Sequence, residues 1–221
     1  MKPLPMFPGL CLCACLFLAG CRPGTEPRSG DLLFVGYLPS PADSVSMASA
    51  IGAATGNGKL DLVHVALLDV SGGETYVIDA TVRRGVDRHP LDTLIHDFTR
   101  SDGRRPELLL MRVRPWRKNC ADAAVERARS LVGRPYDLRF QPADSAWYCS
   151  ELVQECWRDA AGAPLFERAP MNFLAPDGSL PPYWTRLFER LGVEVPQGQP
   201  GTNPQAMSGS PHLKTIKHYM P

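Results

Sequence analysis

The chain has 221 residues, 44% of them apolar, and a formal net charge of +1. That length suits one well-packed domain and is cramped for two. With no basic block there is no electrostatic case for a nucleic-acid partner. The 22 prolines gather near the N-terminus and beyond Ala163, which marks irregular segments around a regular core rather than disorder throughout.

The first 20 residues read as a targeting segment. Lys2 supplies a minimal positive start, and the apolar run from Leu10 to Leu18 is shorter than the ~20 residues a spanning helix needs. The run closes on Leu18-Ala19-Gly20-Cys21, which is similar to a bacterial lipobox and implies cleavage before Cys21 with lipid on the new N-terminal cysteine. A plain secretory signal with an accidental cysteine is the competing reading, and the small residues preceding Cys21 in the right order favour the lipoprotein. Arg22 stands where an aspartate commonly retains lipoproteins at the inner membrane. The expected location is therefore the bacterial cell envelope, with the chain held to the outer membrane and facing the periplasm. Residues 21–29 then form a short tether, residues 30–195 a catalytic domain, and residues 196–221 a Pro/Gly-rich tail that is mobile or lies extended on the surface.

Removal of the leader takes Cys11, Cys13 and Cys15 with it, and Cys21 is acylated, leaving Cys120, Cys149 and Cys156. An odd number in an oxidising compartment leaves at least one thiol free. No CxxC pair or His/Cys cluster has zinc spacing. Cys149 and Cys156 share one predicted helix, which sets their Cα atoms ~10 Å apart, too far for a disulfide.

Along the mature chain, Leu32-Leu33-Phe34-Val35 is a compact apolar run typical of a buried strand. The small, polar stretch from Pro39 to Gly58 has room for a short helix around Val45 to Ala53. Leu62 to Leu68 and Thr75 to Ala80 read as two strands, paired as a hairpin through the turn signal Ser71-Gly72-Gly73. Asp92 to Phe98 resembles a short helix, and Leu108 to Val113 a fourth strand. A helix capped by Asn119 or Asp122 runs to about Val132, where Gly133 and Pro135 stop it. A second helix, which Asp144 and Ser145 can cap, begins near Cys149 and ends at Gly162. A short helix follows at Tyr183 to Leu191. Strands first and helices later argue for an α+β fold.

Three residues carry the candidate chemistry. Cys149 falls in the first turn of its helix, where unpaired N–H groups and the positive end of the helix dipole favour thiolate, the nucleophilic form. Position alone leaves open that it is an ordinary buried cysteine. His64 lies within one hairpin strand and Asp79 within the other, each embedded among apolar residues. A buried carboxylate needs a donating or positive partner, and His64 can serve. A carboxylate on one ring nitrogen orients the other as a general base requires. With Cys149 the set is nucleophile, base and orienter. Glu151, in a first helical turn, is favoured by the dipole alone and reads as structural. His89, His96, His212 and His218 show no partner pattern and read as surface residues. Cys120 is expected to pack at a helix start, and Cys156 in the core.

Gly30-Asp31-Leu32-Leu33-Phe34, His64, Val77-Ile78-Asp79-Ala80, Pro135-Tyr136-Asp137 and Tyr148-Cys149-Ser150-Glu151-Leu152 occur in an order that resembles the YiiX-like proteins. These are the circularly permuted branch of the NlpC-type papain-fold cysteine hydrolases. Strands come first and the cysteine helix follows, the reverse of ordinary papain-like enzymes. The resemblance covers roughly residues 30–190. It implies a permuted papain-like fold, an antiparallel sheet packed against the cysteine helix, with Cys149 as nucleophile, His64 as base and Asp79 as third residue. Relatives often carry glutamate at the third position, so Asp79 is one methylene shorter. Tyr136 lies where related enzymes have a tyrosine near the active site, either as an oxyanion donor with the Cys149 N–H or as a core aromatic.

The implied reaction is acyl transfer to water at an amide, with no metal or organic cofactor, by a monomer. The expected substrate is a peptide or cell-wall-type amide, such as a γ-glutamyl or Lys-containing bond. Two alternatives stand beside it: a lipid-acting acyltransferase or hydrolase of the same fold, and a non-catalytic envelope module that binds peptide. Exposed apolar residues near Cys149, with Trp147, Phe140 and Trp184 as candidates, would favour lipid. A thiol out of reach of His64 would favour the binding module.

Overall fold

The computed structural model describes residues 24–39, 46–56, 59–114, 120–142 and 145–220. The expected leader, the lipidated Cys21, and the cap candidates Asn119 and Asp144 lie outside the described residues.

Six strands form one antiparallel sheet in the order β4-β3-β2-β1-β5-β8. They are β1 (Leu32–Tyr37), β2 (Asp61–Ser71), β3 (Glu74–Thr81), β4 (Gly85–Pro90), β5 (Glu107–Val113) and β8 (Leu213–Tyr219). The hairpin read from Gly72-Gly73 is β2–β3, with both glycines at positive φ, a conformation their missing Cβ makes inexpensive. Helices α1 (Met47–Thr55), α2 (Leu91–Phe98), α3 (Ala121–Leu131), α4 (Cys149–Cys156), α5 (Pro182–Leu191) and α6 (Pro204–Ser208) complete the fold, with a two-stranded ribbon of β6 (Ala169–Pro170) and β7 (Pro200–Gly201). The architecture is α+β, an antiparallel sheet carrying the cysteine helix, as the sequence implies.

Alternation along the strands assigns the two faces. Leu32 and Phe34 of β1 and Val65 and Leu67 of β2 pack with Leu152 and Val153 of α4 and Ala124 and Val125 of α3 in one buried cluster. Leu33, Val35, Ala66 and Leu68 face the other way, against Leu94 of α2. A third cluster, built on Phe140, Tyr148, Phe173 and Trp184, lies beneath α1 and α5.

Buried ion pairs tie the layers. Arg112 of β5 holds Asp31 through Nε and Nη2 at 2.6 and 2.7 Å, so the Gly30-Asp31 step preceding β1 has a structural role. Arg129 of α3 and Arg88 of β4 both donate to the fully buried Asp69.

Several expectations are corrected. The C-terminal residues are no loose tail: β8 pairs with β5 as the sheet's edge, and α6 packs on β2. The helix caps also differ. Cys120 precedes α3 and Tyr148 precedes α4, and the side chain of neither makes a capping hydrogen bond. The helix expected at Val45 to Ala53 is α1, capped by Ser46, which accepts from the Ser49 N–H at 3.2 Å. The segment Gly85–Pro90, for which no strand was expected, forms β4. Among the described residues no helix is long and apolar enough to cross a membrane.

Candidate active site

Strands β2 and β3 are in register at Leu67–Ile78. His64 and Asp79 are therefore not directly opposite but diagonal on one face, still within reach of long side chains. His64 Nε2 donates to Asp79 Oδ2 at 2.7 Å. Both are out of water, at 5% and 0% exposure. The imidazole also lies against the Phe98 ring of α2, centroids 4.6 Å apart. With Nε2 committed to Asp79, Nδ1 is the nitrogen left for chemistry.

Asp79 has a second partner that the sequence did not reveal. His89 of β4 places Nε2 3.1 Å from Asp79 Oδ1, and its Nδ1 lies 3.1 Å from the Pro90 carbonyl. Since β3 pairs with β4 at Asp79–Asp87 and Val77–His89, His89 reaches Asp79 along the other diagonal. The expectation that His89 is a surface residue fails, for its exposure is 6%. The strand that carries it, Gly-Val-Asp-Arg-His-Pro, has no alternating apolar pattern to announce a buried position. His218 is also paired, with Glu107 at 2.7 Å, but on a partly exposed strand edge.

Cys149 is the first residue of α4, following Tyr148 in extended conformation. First-turn N–H groups have no intrahelical partner, so the Cys149 N–H is available to a developing oxyanion. Glu151 takes the third helical position, buried, with Arg168 Nη2 donating to its Oε1 at 3.5 Å. This supports a structural reading of Glu151. Burial and the nearby Asp137 charge push its pKa up to about 8, against the opposing pull of Arg168.

Electrostatics link the three candidate residues. Burial alone would lower the His64 pKa. The interaction with Cys149, together with the hydrogen bond that His64 donates to Asp79, outweighs it and pushes His64 up to about 10. Burial would raise Asp79, yet hydrogen bonds from His64 and His89 hold it well below the usual carboxylate range. His89 is also raised: burial opposes protonation, but Asp79 and the Pro90 carbonyl favour it more than Arg84 disfavours it. A protonated imidazole is the state this environment favours for His64.

Tyr136 is brought to the site by its neighbours. Trp147 N–H donates to the Pro135 carbonyl at 3.2 Å, and Asp137 N–H to the Trp147 carbonyl at 3.3 Å. The Asp137 carboxylate accepts from the N–H groups of Arg139 and Gln141, both at 2.8 Å, which shapes the loop that follows. The Tyr136 hydroxyl donates to Met47 Sδ at 3.7 Å. Burial, then the Cys149 charge, raise its pKa well above the ordinary value, so the phenol keeps its proton. Cys156 is in the core, where burial pushes its thiol up to about 12 and makes it inert.

Two cavities meet at Cys149. One, about 260 Å³, is lined by Cys149, His64, Tyr136, Val63, Phe98 and Arg83 among others. The other, about 50 Å³, has Cys149, Tyr136, Tyr148, Met171, Phe140 and Trp184 in its walls but not His64. The Pro200–Thr202 segment closes over the smaller one: Thr202 N–H donates to the Tyr148 hydroxyl at 3.0 Å, and Thr202 Oγ1 to Ser150 Oγ at 3.0 Å. A Cβ at Gly201 would lie 2.3 Å from Met171 Sδ, so a larger residue there would displace the Met171 side chain.

Comparison with known proteins matches this architecture. A family model described as "Permuted papain-like amidase enzyme, YaeF/YiiX, C92 family" matches residues 26–217. The chain is 26% identical to the uncharacterized protein YiiX of Escherichia coli K12 over 197 residues, 89% of each protein. A crystal structure described as metalloprotein yiiX from Escherichia coli O157:H7 superposes with a TM-score of 0.67 at 27% identity, covering 88% of this chain and 99% of that one.

Proposed function

The chain belongs to the permuted papain-like amidase family of YaeF and YiiX, a family of cysteine hydrolases, and on that premise we propose that it cleaves an amide bond through Cys149, His64 and Asp79. The carrying observation is the buried Asp79–His64 hydrogen bond at 2.7 Å, on a histidine that lines one cavity together with Cys149.

In the proposed reaction the Cys149 thiolate attacks the amide carbonyl carbon and forms a C–S bond. The oxyanion is met by the Cys149 N–H and, once it swings from Met47, by the Tyr136 hydroxyl. As the C–N bond breaks, the imidazolium of His64 gives its Nδ1 proton to the departing nitrogen. Neutral His64 then takes a proton from water as the water oxygen attacks the thioester. The C–S bond breaks, the acid leaves, and the thiolate–imidazolium pair is restored. Asp79 orients the ring and stabilises its charge without itself transferring a proton.

The solved relative's description as a metalloprotein invites a test of fit. Among the described residues no group of three or more His, Cys, Asp and Glu side chains is arranged to hold a metal ion. In the one His-Asp-His cluster, both Nε2 atoms point at the carboxylate. No step is routed through a metal.

The lipobox-like Leu18 to Cys21 supports anchoring in the cell envelope, where amide substrates of peptide or cell-wall type are available. The reading is tested by trapping the acyl-enzyme: rapid acid quench after mixing with an activated acyl ester, then peptide mass mapping. An adduct on the Cys149 peptide, absent from Cys149→Ala, is expected. Turnover that persists in Cys149→Ala would overturn it.

A further inference from the structure

The two cavities at Cys149 divide the substrate between them, and we infer that the smaller is an acyl subsite for a short, uncharged, apolar acyl group. This inference rests on the proposed acyl transfer. The leaving nitrogen must approach His64 to receive its proton, so the amine half lies in the 260 Å³ cavity that His64 lines. The carbonyl carbon is attached to Sγ, which leaves its acyl substituent the cavity on the other side of Cys149.

The walls of that cavity set its chemistry. Phe140, Met171, Phe173 and Trp184 supply its apolar walls, Ser150 and Asn172 add neutral polar groups, and no lysine, arginine or histidine lines it. The charge that acts on its walls is acidic: Asp137 acts on Tyr136. An acyl group carrying a carboxylate, such as γ-glutamyl, would enter without a counter-charge, which is costly in an apolar site. Size adds a second limit. About 50 Å³ holds roughly four water-sized atoms, which admits a short aliphatic group and excludes a long lipid chain.

The pocket is also a built feature. Phe140 adopts φ 54°, the only positive φ outside glycine among the described residues. Its ring thereby packs edge-on to Phe173 and Trp184, with centroids 5.7 and 5.4 Å away. A bulky residue in the left-handed region is strained and persists only where the surroundings enforce it.

The experiment compares alkylation of Cys149 in the full-length protein by chloromethyl ketones that differ only in the acyl substituent: propyl, carboxyethyl and undecyl. The thiolate forms a C–S bond at the chloromethyl carbon and chloride leaves, so the rate reads subsite fit without any leaving amine. Iodoacetamide, which needs no subsite, is the reference. The propyl ketone is expected to react at least about tenfold faster than either of the others relative to that reference. Ala54→Leu, which places bulk in the cavity wall, should abolish the preference. Equal rates, a faster carboxyethyl or undecyl ketone, or a preference that survives Ala54→Leu would overturn the subsite. If those results come with iodoacetamide labelling that still depends on His64, only the subsite falls. If labelling no longer depends on His64, or Cys149 reacts with no probe, the catalytic reading falls with it.

Discussion

Asp79 is gripped from both sides by histidines on its two neighbouring strands, His64 at 2.7 Å and His89 at 3.1 Å. One carboxylate on the middle strand of three is thereby fully buried and fully partnered, which is how a charged group survives in an apolar sheet. His89 acts on the chemistry only through Asp79, as a positioning residue. Its replacement by alanine leaves one carboxylate oxygen without that donor, and the expected cost is about 1–3 kcal/mol of stability. Urea unfolding should show His89→Gln, which retains a donor, recovering part of the loss. The same variants should lower amide turnover far less than His64→Ala does.

Loss of either reacting group should end catalysis. Cys149→Ala and His64→Ala are each expected to lose about a thousandfold or more in kcat/KM, and the double variant little beyond that, because the two act as a unit. Asp79→Asn keeps an oxygen facing His64 and should leave measurable activity. Steady-state kinetics on an amide and on the matching ester check the ranking.

The His64 shift fixes the alkaline limb of the pH profile. A pKa raised to about 10 keeps the imidazolium present at neutral pH and removes it as pH rises through that value. Amide cleavage, which needs a proton on the leaving nitrogen, should fall above about pH 10. Cleavage of a p-nitrophenyl ester, whose leaving group needs no proton, should not fall there.

Glu151 makes the opposite kind of contribution, to stability. Its pKa rises from 4.5 to about 8 in the folded protein, so between those values the folded state holds a proton that the unfolded state has released. Stability therefore declines as pH rises through this window. Glu151→Gln should flatten the decline, measured as urea midpoints from pH 5 to 9.

Much of the site was legible because its elements follow simple periodicities. The Gly-Gly turn between two apolar runs locates the hairpin, and the hairpin brings together His64 and Asp79. The helix-period run after Cys149 locates the helix start. What escaped the sequence had no such pattern. In β4 a glycine, two charged residues, a histidine and a proline conceal a strand, and with it His89. In β8, Leu213 joins one core cluster while Ile216 and Tyr219 join the other. A register shift opposite Leu110–Met111 inserts an extra residue there, which breaks the period-2 alternation that would have announced the strand. The Pro/Gly-rich composition before it marks a strap across the cysteine helix rather than a loose tail.

The most direct test of the account is the rate of Cys149 alkylation by iodoacetamide against pH, read by peptide mapping in the wild type and in His64→Ala. The account predicts that Cys149 labels readily at pH 6 when His64 is present, that His64→Ala confines labelling to alkaline pH, and that Cys156 stays unlabelled throughout. Labelling of Cys149 at the same rate and pH with and without His64 would contradict the pairing on which the proposed chemistry rests.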